Sequence, residues 1–363
     1  MFTFPLQLDP NAMLEEMVDL QRRTIQGLEN MSHLREEDIL IGTAPKYEVY
    51  REDKLVLYRY EPVVDEPLSP PLLISYALVN RPYMVDLQES RSIVRSLLNL
   101  GIDVYLIDWG YPGPTERWLT LEDYIDGYID NCVDAICEQR GVDQVNLLGI
   151  CQGGAFSLCY TALHPEKVKN LITMVTPVDF DIEGFAGCGL LNSWVRGMDP
   201  DAMVAAFGNI PGDYMNFGYL MLRPFALNLG KYIDMPSIAS DEDKLINFLR
   251  MEKWIFDSPD QAGEAWRKFI KDFYQGNKLI KGEVEIGDRT VDLRNITMPV
   301  LNLYAEQDHL VPPASSLALG DLVGSDDYTA QSFPTGHIGM YVSGKVQKTL
   351  PPLIAEWLQQ RAV

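Results

Sequence analysis

The most informative segment of the chain is Val145-Asn146-Leu147-Leu148-Gly149-Ile150-Cys151-Gln152-Gly153-Gly154-Ala155. Its first six residues are mostly apolar and form a run of the length of a buried strand, and residues 153–164 have the composition of a helix. Between the two lies Gly-x-Cys-x-Gly, with a glycine two residues before and two residues after Cys151. A tight turn from strand to helix needs this spacing, because larger side chains would collide with the neighbouring strand and helix. The segment therefore predicts a strand, a strained turn and a helix in succession.

Cys151 is the candidate nucleophile of this segment, because such a strand, turn and helix form the nucleophile elbow that hydrolases build around serine. The amino terminus of the following helix would place partial positive charge at the sulfur, which favours the thiolate. The backbone N–H of Gln152 would point at the oxyanion that forms on an attacked carbonyl group. Taken alone, the motif also fits a buried structural cysteine in a glycine-rich turn.

Asp308 and His337 are the candidate partners of Cys151, since triads on this kind of fold follow the chain order nucleophile, acid, histidine. Asp308 comes at the end of one predicted strand, and His337 lies on the loop after the next. His309 competes with His337 for the role of base. It lies too early for the usual order, so a supporting role is expected for it.

The loop over residues 75–83 is expected to supply the second donor to the oxyanion, because it follows the first long predicted strand. The backbone N–H of Val79 or of Asn80 is the candidate donor. Arg81, in the same loop, fits either an exposed surface residue or a contact to a substrate phosphate. The stretch Asp108-Trp109-Gly110 fits a turn and a tryptophan packed on the core better than it fits chemistry.

Short apolar runs alternate with helix-like segments through the first half of the chain, which predicts an α/β fold with a mostly parallel central sheet and helices on both faces. The alternation stops after Val178 and returns near residue 298, so a helical cap is expected to interrupt the core. The predicted divisions are core residues 1–178, cap residues 179–292 and core residues 293–363. A helix near the amino terminus and a hairpin are also predicted. The predicted strands are 47–50, 55–60, 71–79, 104–109, 145–150, 171–175, 298–304 and 328–333, and the main predicted helices are 87–100, 121–140, 153–164 and 350–360.

The chain has a formal net charge of -22, from 52 acidic and 30 basic residues. This charge argues against nucleic acids and anionic membranes as partners, and an anionic CoA thioester would need a local cluster of basic residues. No leader peptide, membrane-spanning run or zinc-type spacing is evident, so a cytoplasmic protein without a metal or cofactor is expected. The five cysteines are an odd number, which argues against a disulfide framework. The cysteines expected to be inert are Cys132, Cys137, Cys159 and Cys188.

Several stretches between Tyr76 and Met340 match one known family. They are Tyr76-Ala77-Leu78-Val79-Asn80-Arg81-Pro82-Tyr83, Asp108-Trp109-Gly110, Gly149-Ile150-Cys151-Gln152-Gly153-Gly154, Glu252-Lys253-Trp254-Ile255-Phe256-Asp257, Asp308-His309 and Gly336-His337-Ile338. On these stretches the chain resembles polyhydroxyalkanoate synthases, specifically the short catalytic subunit of the two-subunit, class III type. The resemblance implies an α/β-hydrolase fold with Cys151, Asp308 and His337 as catalytic residues. It implies an acyltransferase that polymerises (R)-3-hydroxyacyl-CoA, most often 3-hydroxybutyryl-CoA, at the surface of a polyester granule. A smaller non-catalytic subunit is the expected partner, and homo-oligomers are also expected.

Cysteine suits this reaction, because attack of a thiolate on a CoA thioester exchanges one thioester for another at nearly equal free energy. The acyl-enzyme then keeps enough driving force to be attacked by the hydroxyl of a second hydroxyacyl group. His337 would deprotonate Cys151 and later that hydroxyl, and Asp308 would either orient His337 or act on the hydroxyl more directly. An apolar cap would keep water away from the acyl-enzyme, and the segment fits a plain helical subdomain equally well.

Two other interpretations stay open on the sequence. A cysteine-dependent hydrolase of the same fold, acting on thioesters, lactones or esters, would share every one of these residues and differ in passing the acyl group to water. A non-catalytic granule or scaffold protein that keeps a hydrolase-like shell is disfavoured by the intact order of the triad.

Overall fold

The computed structural model describes residues 9–182, 191, 194–222 and 230–362. The chain forms two compact units, one made of Met1–Leu40 with Arg223–Ile255 and the other of Ile41–Leu222 with Phe256–Val363. The predicted division into a core and a cap over residues 179–292 stays a prediction.

The larger unit is built on strands that follow the predicted ones closely, and the segment 328–333 matches its prediction at both ends. The strands of the described residues are β1 (Lys46–Glu52), β2 (Leu55–Tyr60), β3 (Leu68–Ser75), β4 (Asp86–Gln88), β5 (Arg91–Ser92), β6 (Ile102–Asp108), β7 (Val145–Ile150), β8 (Val168–Met174), β9 (Glu285–Ile286), β10 (Arg289–Thr290), β11 (Val300–Ala305) and β12 (Tyr328–Phe333).

Eight of these strands form one sheet in the order β1-β2-β6-β3-β7-β8-β11-β12. The pairs β1–β2, the predicted hairpin, and β2–β6 are antiparallel. The remaining strands of this sheet, in the order β6-β3-β7-β8-β11-β12, are each parallel to their neighbours. The predicted mostly parallel sheet is therefore confirmed, and the carboxyl ends of β3, β7, β8, β11 and β12 meet at one edge.

Helices surround this sheet and connect its strands. The α-helices of the described residues are α1 (Pro10–His33), α2 (Ile93–Asn99), α3 (Asp130–Arg140), α4 (Gln152–Leu163), α5 (Pro200–Phe207), α6 (Gly212–Met221), α7 (Lys231–Ile233), α8 (Met235–Ala239), α9 (Glu242–Phe256), α10 (Gly263–Lys268), α11 (Lys278–Lys281), α12 (Pro313–Leu317), α13 (Gly339–Val342) and α14 (Leu350–Gln359). Two π-helical turns, Asp123–Ile129 and Phe269–Gln275, precede α3 and follow α10.

Both faces of the sheet are covered, as the run of apolar residues in its central strands requires. Leu73 and Leu147 belong to one large apolar core that also contains Phe156 of α4. Their strand neighbours Leu72 and Leu148 point to the opposite face, because side chains alternate along a strand, and they are equally buried. Since the side chains on both faces are buried, both faces must be covered, as the prediction of helices on both faces requires. Helix α2, which packs against β6 and against α14, provides part of this cover.

Two predicted boundaries are wrong by four residues or more. The helix predicted over residues 87–100 begins only at Ile93, where the Ser92 side chain accepts a hydrogen bond from the Arg95 N–H and caps it. The preceding residues form the short hairpin β4–β5, and the buried carboxylate of Asp86 fixes it by accepting from the Ala44 N–H at 2.7 Å. The strand predicted over residues 71–79 ends at Ser75.

The smaller unit contains α1 and the helices α7 to α9. Within it, the Asn30 side chain donates to the Ala239 carbonyl at 2.7 Å, and Arg250 donates to the Asp38 carbonyl at 2.9 Å. The predicted amino-terminal helix is confirmed as α1. Among the residues described, no helix combines the length and apolar character that crossing a bilayer requires.

Candidate active site

Cys151 occupies a strained turn between β7 and α4. Its φ of 54° and ψ of -123° place it in a region that residues other than glycine rarely adopt. A Cβ added at Gly149 would lie 2.6 Å from the Gly154 Cα, and one added at Gly153 would lie 2.4 Å from the carbonyl oxygens of Ser75 and Tyr76. The predicted strand, turn and helix are confirmed. Neighbouring backbone passes so close to the two glycines that a side chain would not fit at either position, as their spacing predicts.

The structure brings His337 and Asp308 together at the same edge of the sheet. Asp308 follows β11 and His337 follows β12, and the His337 Nδ1 lies 2.7 Å from the Asp308 Oδ2. The carboxylate of Asp308 is fully buried, and its Oδ1 accepts from the backbone N–H groups of Leu310 and Val311 at 2.8 and 2.9 Å. Both carboxylate oxygens are thus engaged, and the imidazole is held in a single orientation.

The His337 ring also interacts with the thiol of Cys151. Burial alone would lower the pKa of His337, but the negative charges of Asp308 and Cys151 and hydrogen bonds to both side chains raise it to about 10. The imidazole therefore lies between a carboxylate and a sulfur, and it can exchange a proton with that sulfur. This is the contact that a nucleophile and its base require.

The predicted oxyanion donors belong to two elements, the start of α4 and the loop after β3. Gln152 is the first residue of α4, and the N–H groups in the first turn of a helix have no acceptor within that helix. Its side chain reaches across to the loop after β3, where its Oε1 accepts from the Leu78 N–H at 3.0 Å. Asn80, two residues on, has a left-handed backbone with φ of 58°. The donor roles of Gln152, Val79 and Asn80 stay predictions.

Arg81 is not an exposed surface residue, and that interpretation is wrong. Its guanidinium donates to the Asp108 carboxylate at 2.6 Å and to the Gly110 carbonyl at 2.9 Å, and it stacks on the Tyr111 ring at 4.1 Å. Asp108 also accepts from the Gly110 N–H, and the Trp109 indole is buried. The structural interpretation of residues 108–110 is thereby confirmed, while a contact of Arg81 to a substrate phosphate stays a prediction.

His309 lies next to Asp308 in the chain and is half-buried. The Asp308 Oδ2 contacts His337, as the order of the motifs predicts, so the arrangement of side chains favours His337 as the base. The supporting role expected for His309 stays a prediction.

Four tyrosines near the thiol were not predicted from the sequence. Burial raises the pKa of Tyr76, Tyr219 and Tyr274, and the charge of Cys151 raises each further. Burial likewise raises the pKa of Tyr341, whose ring meets that of His337 edge-on at 6.2 Å. Tyr219 lies on α6 and Tyr274 on the second π-helical turn, so both come from the predicted cap. Aromatic residues are frequent there, but their spacing gives no sign of which ones reach the thiol.

The other described cysteines have the surroundings of structural residues. Cys132 and Cys159 are fully buried, and burial raises the pKa of both thiols, that of Cys159 to about 12. Burial also raises the pKa of Cys137. Cys188 lies outside the described residues. Within the described ranges, no group of three or more histidine, cysteine or carboxylate residues could hold a metal ion.

Comparison with known proteins agrees with this geometry. A family model described as alpha/beta hydrolase fold matches residues 70–343. The poly(3-hydroxyalkanoate) polymerase subunit PhaC of Synechocystis sp. is 62% identical over 99% of this chain and 96% of its own length. The protein of the same name from Allochromatium vinosum is 57% identical over 99% of this chain and 100% of its own length. Among solved structures, the monoacylglycerol lipase of Paleococcus ferrophilus is 16% identical, with a TM-score of 0.51 over 85% of this chain and 100% of its own, and it supports the fold alone.

Proposed function

The chain belongs to the family of PhaC subunits of poly(3-hydroxyalkanoate) polymerase, and we propose that it polymerises (R)-3-hydroxybutyryl-CoA through a covalent acyl-enzyme on Cys151. As a member of this family it is an acyltransferase of α/β-hydrolase fold that joins hydroxyacyl-CoA units into polyester. The observation that carries the proposed mechanism is the His337 imidazole between the Asp308 carboxylate and the Cys151 thiol.

The first step is acyl transfer from CoA to the enzyme. His337 takes the thiol proton, and the Cys151 sulfur attacks the thioester carbonyl to give a tetrahedral intermediate. As that intermediate collapses, the bond to the CoA sulfur breaks, and His337 returns its proton to the departing thiolate. The products of the step are free CoA and a hydroxyacyl thioester on Cys151.

The backbone N–H of Gln152 and one N–H from Val79 or Asn80 bind the oxyanion during this step. The proposal is supported by the position of Gln152 at the start of α4 and by its side-chain bond to the Leu78 N–H, which ties the two sides together. Such donors act most strongly on the charge that develops in the transition state, since they are already in place when it forms.

The second step extends the chain. His337 removes the proton from the hydroxyl of a second hydroxyacyl group, and that oxygen attacks the Cys151 thioester. The bond between the carbonyl carbon and the Cys151 sulfur breaks to leave an oxoester, and His337 returns its proton to the sulfur. Asp308 orients His337 rather than acting on the hydroxyl itself. The support for this choice is that Oδ2 of Asp308 contacts His337 and Oδ1 accepts from two backbone N–H groups in a fully buried position.

Water must be kept from the acyl-enzyme, because it would release the acyl group as free acid. Tyr219 and Tyr274, from the predicted cap over residues 179–292, lie near the thiol and would exclude water from it. These two aromatic side chains carry the main support for a water-excluding role of the segment.

The partner and the place of action are also proposals. The relatives from Synechocystis and Allochromatium are named as subunits, which supports assembly with a second, non-catalytic subunit and with further copies of this chain. Because a growing polyester is insoluble, we place the enzyme at the surface of a polyester granule in the cytoplasm.

The test is the release of free CoA from (R)-3-hydroxybutyryl-CoA, with the organic product sized, for the wild type and Cys151→Ala in the presence of the partner subunit. Stoichiometric CoA with high-mass polyester, both lost in Cys151→Ala, is the expected result. CoA release that yields only free hydroxybutyrate would instead assign the chain to cysteine-dependent thioesterases. Full turnover by Cys151→Ala would rule out Cys151 as the nucleophile.

A further inference from the structure

The loop after β3 is tied down at successive positions by side chains from other elements. The Trp109 indole donates to the Tyr76 carbonyl at 2.8 Å, and the Leu78 N–H donates to the Gln152 side chain. Further along the same loop, the Asn80 Nδ2 donates to the Ser258 Oγ at 2.7 Å. The contact to Ser258 joins the loop to the segment that follows α9, 178 residues later in the chain.

The backbone conformation of Asn80 needs such a contact to hold it more than the backbone of the neighbouring residues does. Its φ of 58° is left-handed, a conformation that side chains other than glycine disfavour and that persists where surrounding contacts hold it. The adjoining N–H groups are the proposed oxyanion donors, so their direction depends on this backbone. An oxyanion donor is useful only when its direction is fixed before the charge forms.

Ser258 is itself firmly anchored in the larger unit. Gln261 and Ile210 exchange two backbone hydrogen bonds of 2.9 Å, and the Gly212 N–H donates to the Asp260 side chain at 2.9 Å. Gly212 packs so closely that an added Cβ would lie 2.0 Å from the Ser258 carbonyl oxygen. The backbone of Ser258 is therefore fixed, and its hydroxyl offers a point to which a side chain of the loop can be attached.

Asp257 strengthens the same attachment. Its carboxylate accepts hydrogen bonds from the hydroxyls of Tyr83 and Tyr111, the latter at 2.7 Å. Tyr83 is the last residue of the loop over residues 75–83, and Tyr111 stacks on Arg81 of the same loop. Asp257 ends the sequence stretch 252–257, to which the proposed mechanism gives no part.

We propose that Ser258 is a positioning residue for the oxyanion hole, which acts by holding the Asn80 side chain and with it the left-handed backbone beside the oxyanion donors. The inference rests on the proposed acyl transfer to Cys151. Ser258 touches neither substrate nor sulfur in this role. Its loss is expected to slow the acylation step and to leave substrate binding nearly unchanged.

The experiment measures the pre-steady-state rate of CoA release from (R)-3-hydroxybutyryl-CoA, with KM and the thermal midpoint, in the presence of the partner subunit. The variants are Ser258→Ala, Ser258→Thr, Asn80→Gly and the double variant Ser258→Ala/Asn80→Gly. Glycine at position 80 tolerates the left-handed backbone and lacks the side chain that Ser258 holds. Tyr105→Phe is the matched control, because it removes a hydroxyl-to-amide bond to Gln139 of 2.8 Å elsewhere in the larger unit.

Ser258→Ala is expected to slow acylation roughly 10-fold, less than the 10²- to 10³-fold loss of a whole oxyanion donor, while KM stays within about twofold. Ser258→Thr keeps the hydroxyl and should recover most of the rate. In the Asn80→Gly background, Ser258→Ala should have little further effect, since residues that act through one contact are not additive.

Wild-type acylation in Ser258→Ala would overturn the inference. So would a loss of the same size in the Asn80→Gly background, or a loss matched by Tyr105→Phe. These outcomes differ from failure of the proposed function, in which the wild type itself would release no CoA from the thioester or would yield only free hydroxybutyrate with it.

Discussion

Two histidine–carboxylate pairs lie at opposite ends of α4, and they share the same contact distance. At the amino-terminal end, His337 lies 2.7 Å from Asp308, and at the carboxyl-terminal end, His164 lies 2.7 Å from Asp126. With 12 residues, α4 separates the two ends by about 18 Å. The difference between the pairs is in their neighbours rather than in their geometry.

The His337 pair is buried beside a thiol, whereas the His164 pair is half-buried within a network of charges. Asp126 also accepts from Arg289, and the ring of His164 stacks on Tyr160 with centroids 4.9 Å apart. Arg289 pairs with the carboxylate of Asp126, and two further carboxylates, those of Glu166 and Asp130, lie 3.7 and 4.0 Å from the His164 Nδ1. The proposed mechanism therefore relies on the adjacent sulfur and the fixed orientation of the ring, and not on a contact between a histidine and a carboxylate alone.

The largest expected difference between the two pairs is in the rate of CoA release after the carboxylate of each pair is replaced in turn. Asp308→Asn should reduce the steady-state rate of CoA release by about 10³- to 10⁴-fold, because the ring loses the partner that fixes its tautomer and stabilises its charged form. Asp126→Asn should leave that rate unchanged. Equal losses in the two variants would remove the distinction between the pairs.

A smaller effect concerns the protonation of His337. Its pKa is raised in part by the charge of Cys151, so at pH 8 the imidazole of the wild type should already hold the proton that Cys151 gives up in the proposed mechanism, and in Cys151→Ala it should lose part of that shift. Histidine-selective ¹⁵N NMR across a pH titration measures this, with the signal assigned through His337→Gln. Titration near the ordinary histidine value of about 6.5 in both proteins would contradict the proposed contact with the sulfur.

Stability at alkaline pH should follow from the same shift. A histidine whose pKa is raised on folding stabilises the protein fully below its unfolded value and loses this contribution as pH rises through the folded value. The free energy of unfolding of the wild type should therefore fall relative to that of His337→Gln between about pH 6.5 and pH 10. Urea denaturation at a series of pH values gives both curves, and a constant difference between them would count against the shift.

The smallest effect is expected at Asp126. Burial acts to raise its pKa, but hydrogen bonds from His164 and Arg289 outweigh burial and lower it. A carboxyl whose pKa is lowered on folding contributes stability above its unfolded value, and this contribution disappears as pH falls below about 4. Asp126→Asn should lower the free energy of unfolding at pH 7 by at most about 1 kcal/mol, because the pair is partly exposed. A difference that grew toward low pH would contradict this sign.

The central part of the fold is predictable because its signals are local. The glycines around Cys151 predict the turn, and the strands β7 and β12 have the bounds that the sequence predicts for them. The order of Cys151, Asp308 and His337 along the chain also predicts that they meet, since parallel strands bring their carboxyl ends to one edge.

The remaining features depend on contacts between residues distant in sequence. Residues 76–79 look like a continuation of β3, yet backbone groups there bond to the side chains of Trp109 and Gln152 instead of to a neighbouring strand. The ion pair of Arg81 with Asp108 and the attachment of Asn80 to Ser258 likewise join separate segments. Periodicity and local motifs carry no information about such contacts.

The most direct test of the proposed mechanism is to find the residue that carries the acyl group. Enzyme with its partner subunit is mixed with (R)-3-hydroxybutyryl-CoA, quenched in acid during the first turnovers, digested and analysed by mass spectrometry. We expect one or more hydroxybutyryl units on the peptide that contains Cys151, and far slower accumulation of this species in Asp308→Asn. Release of CoA with Cys151 unmodified, or with the acyl group on another residue, would contradict the mechanism.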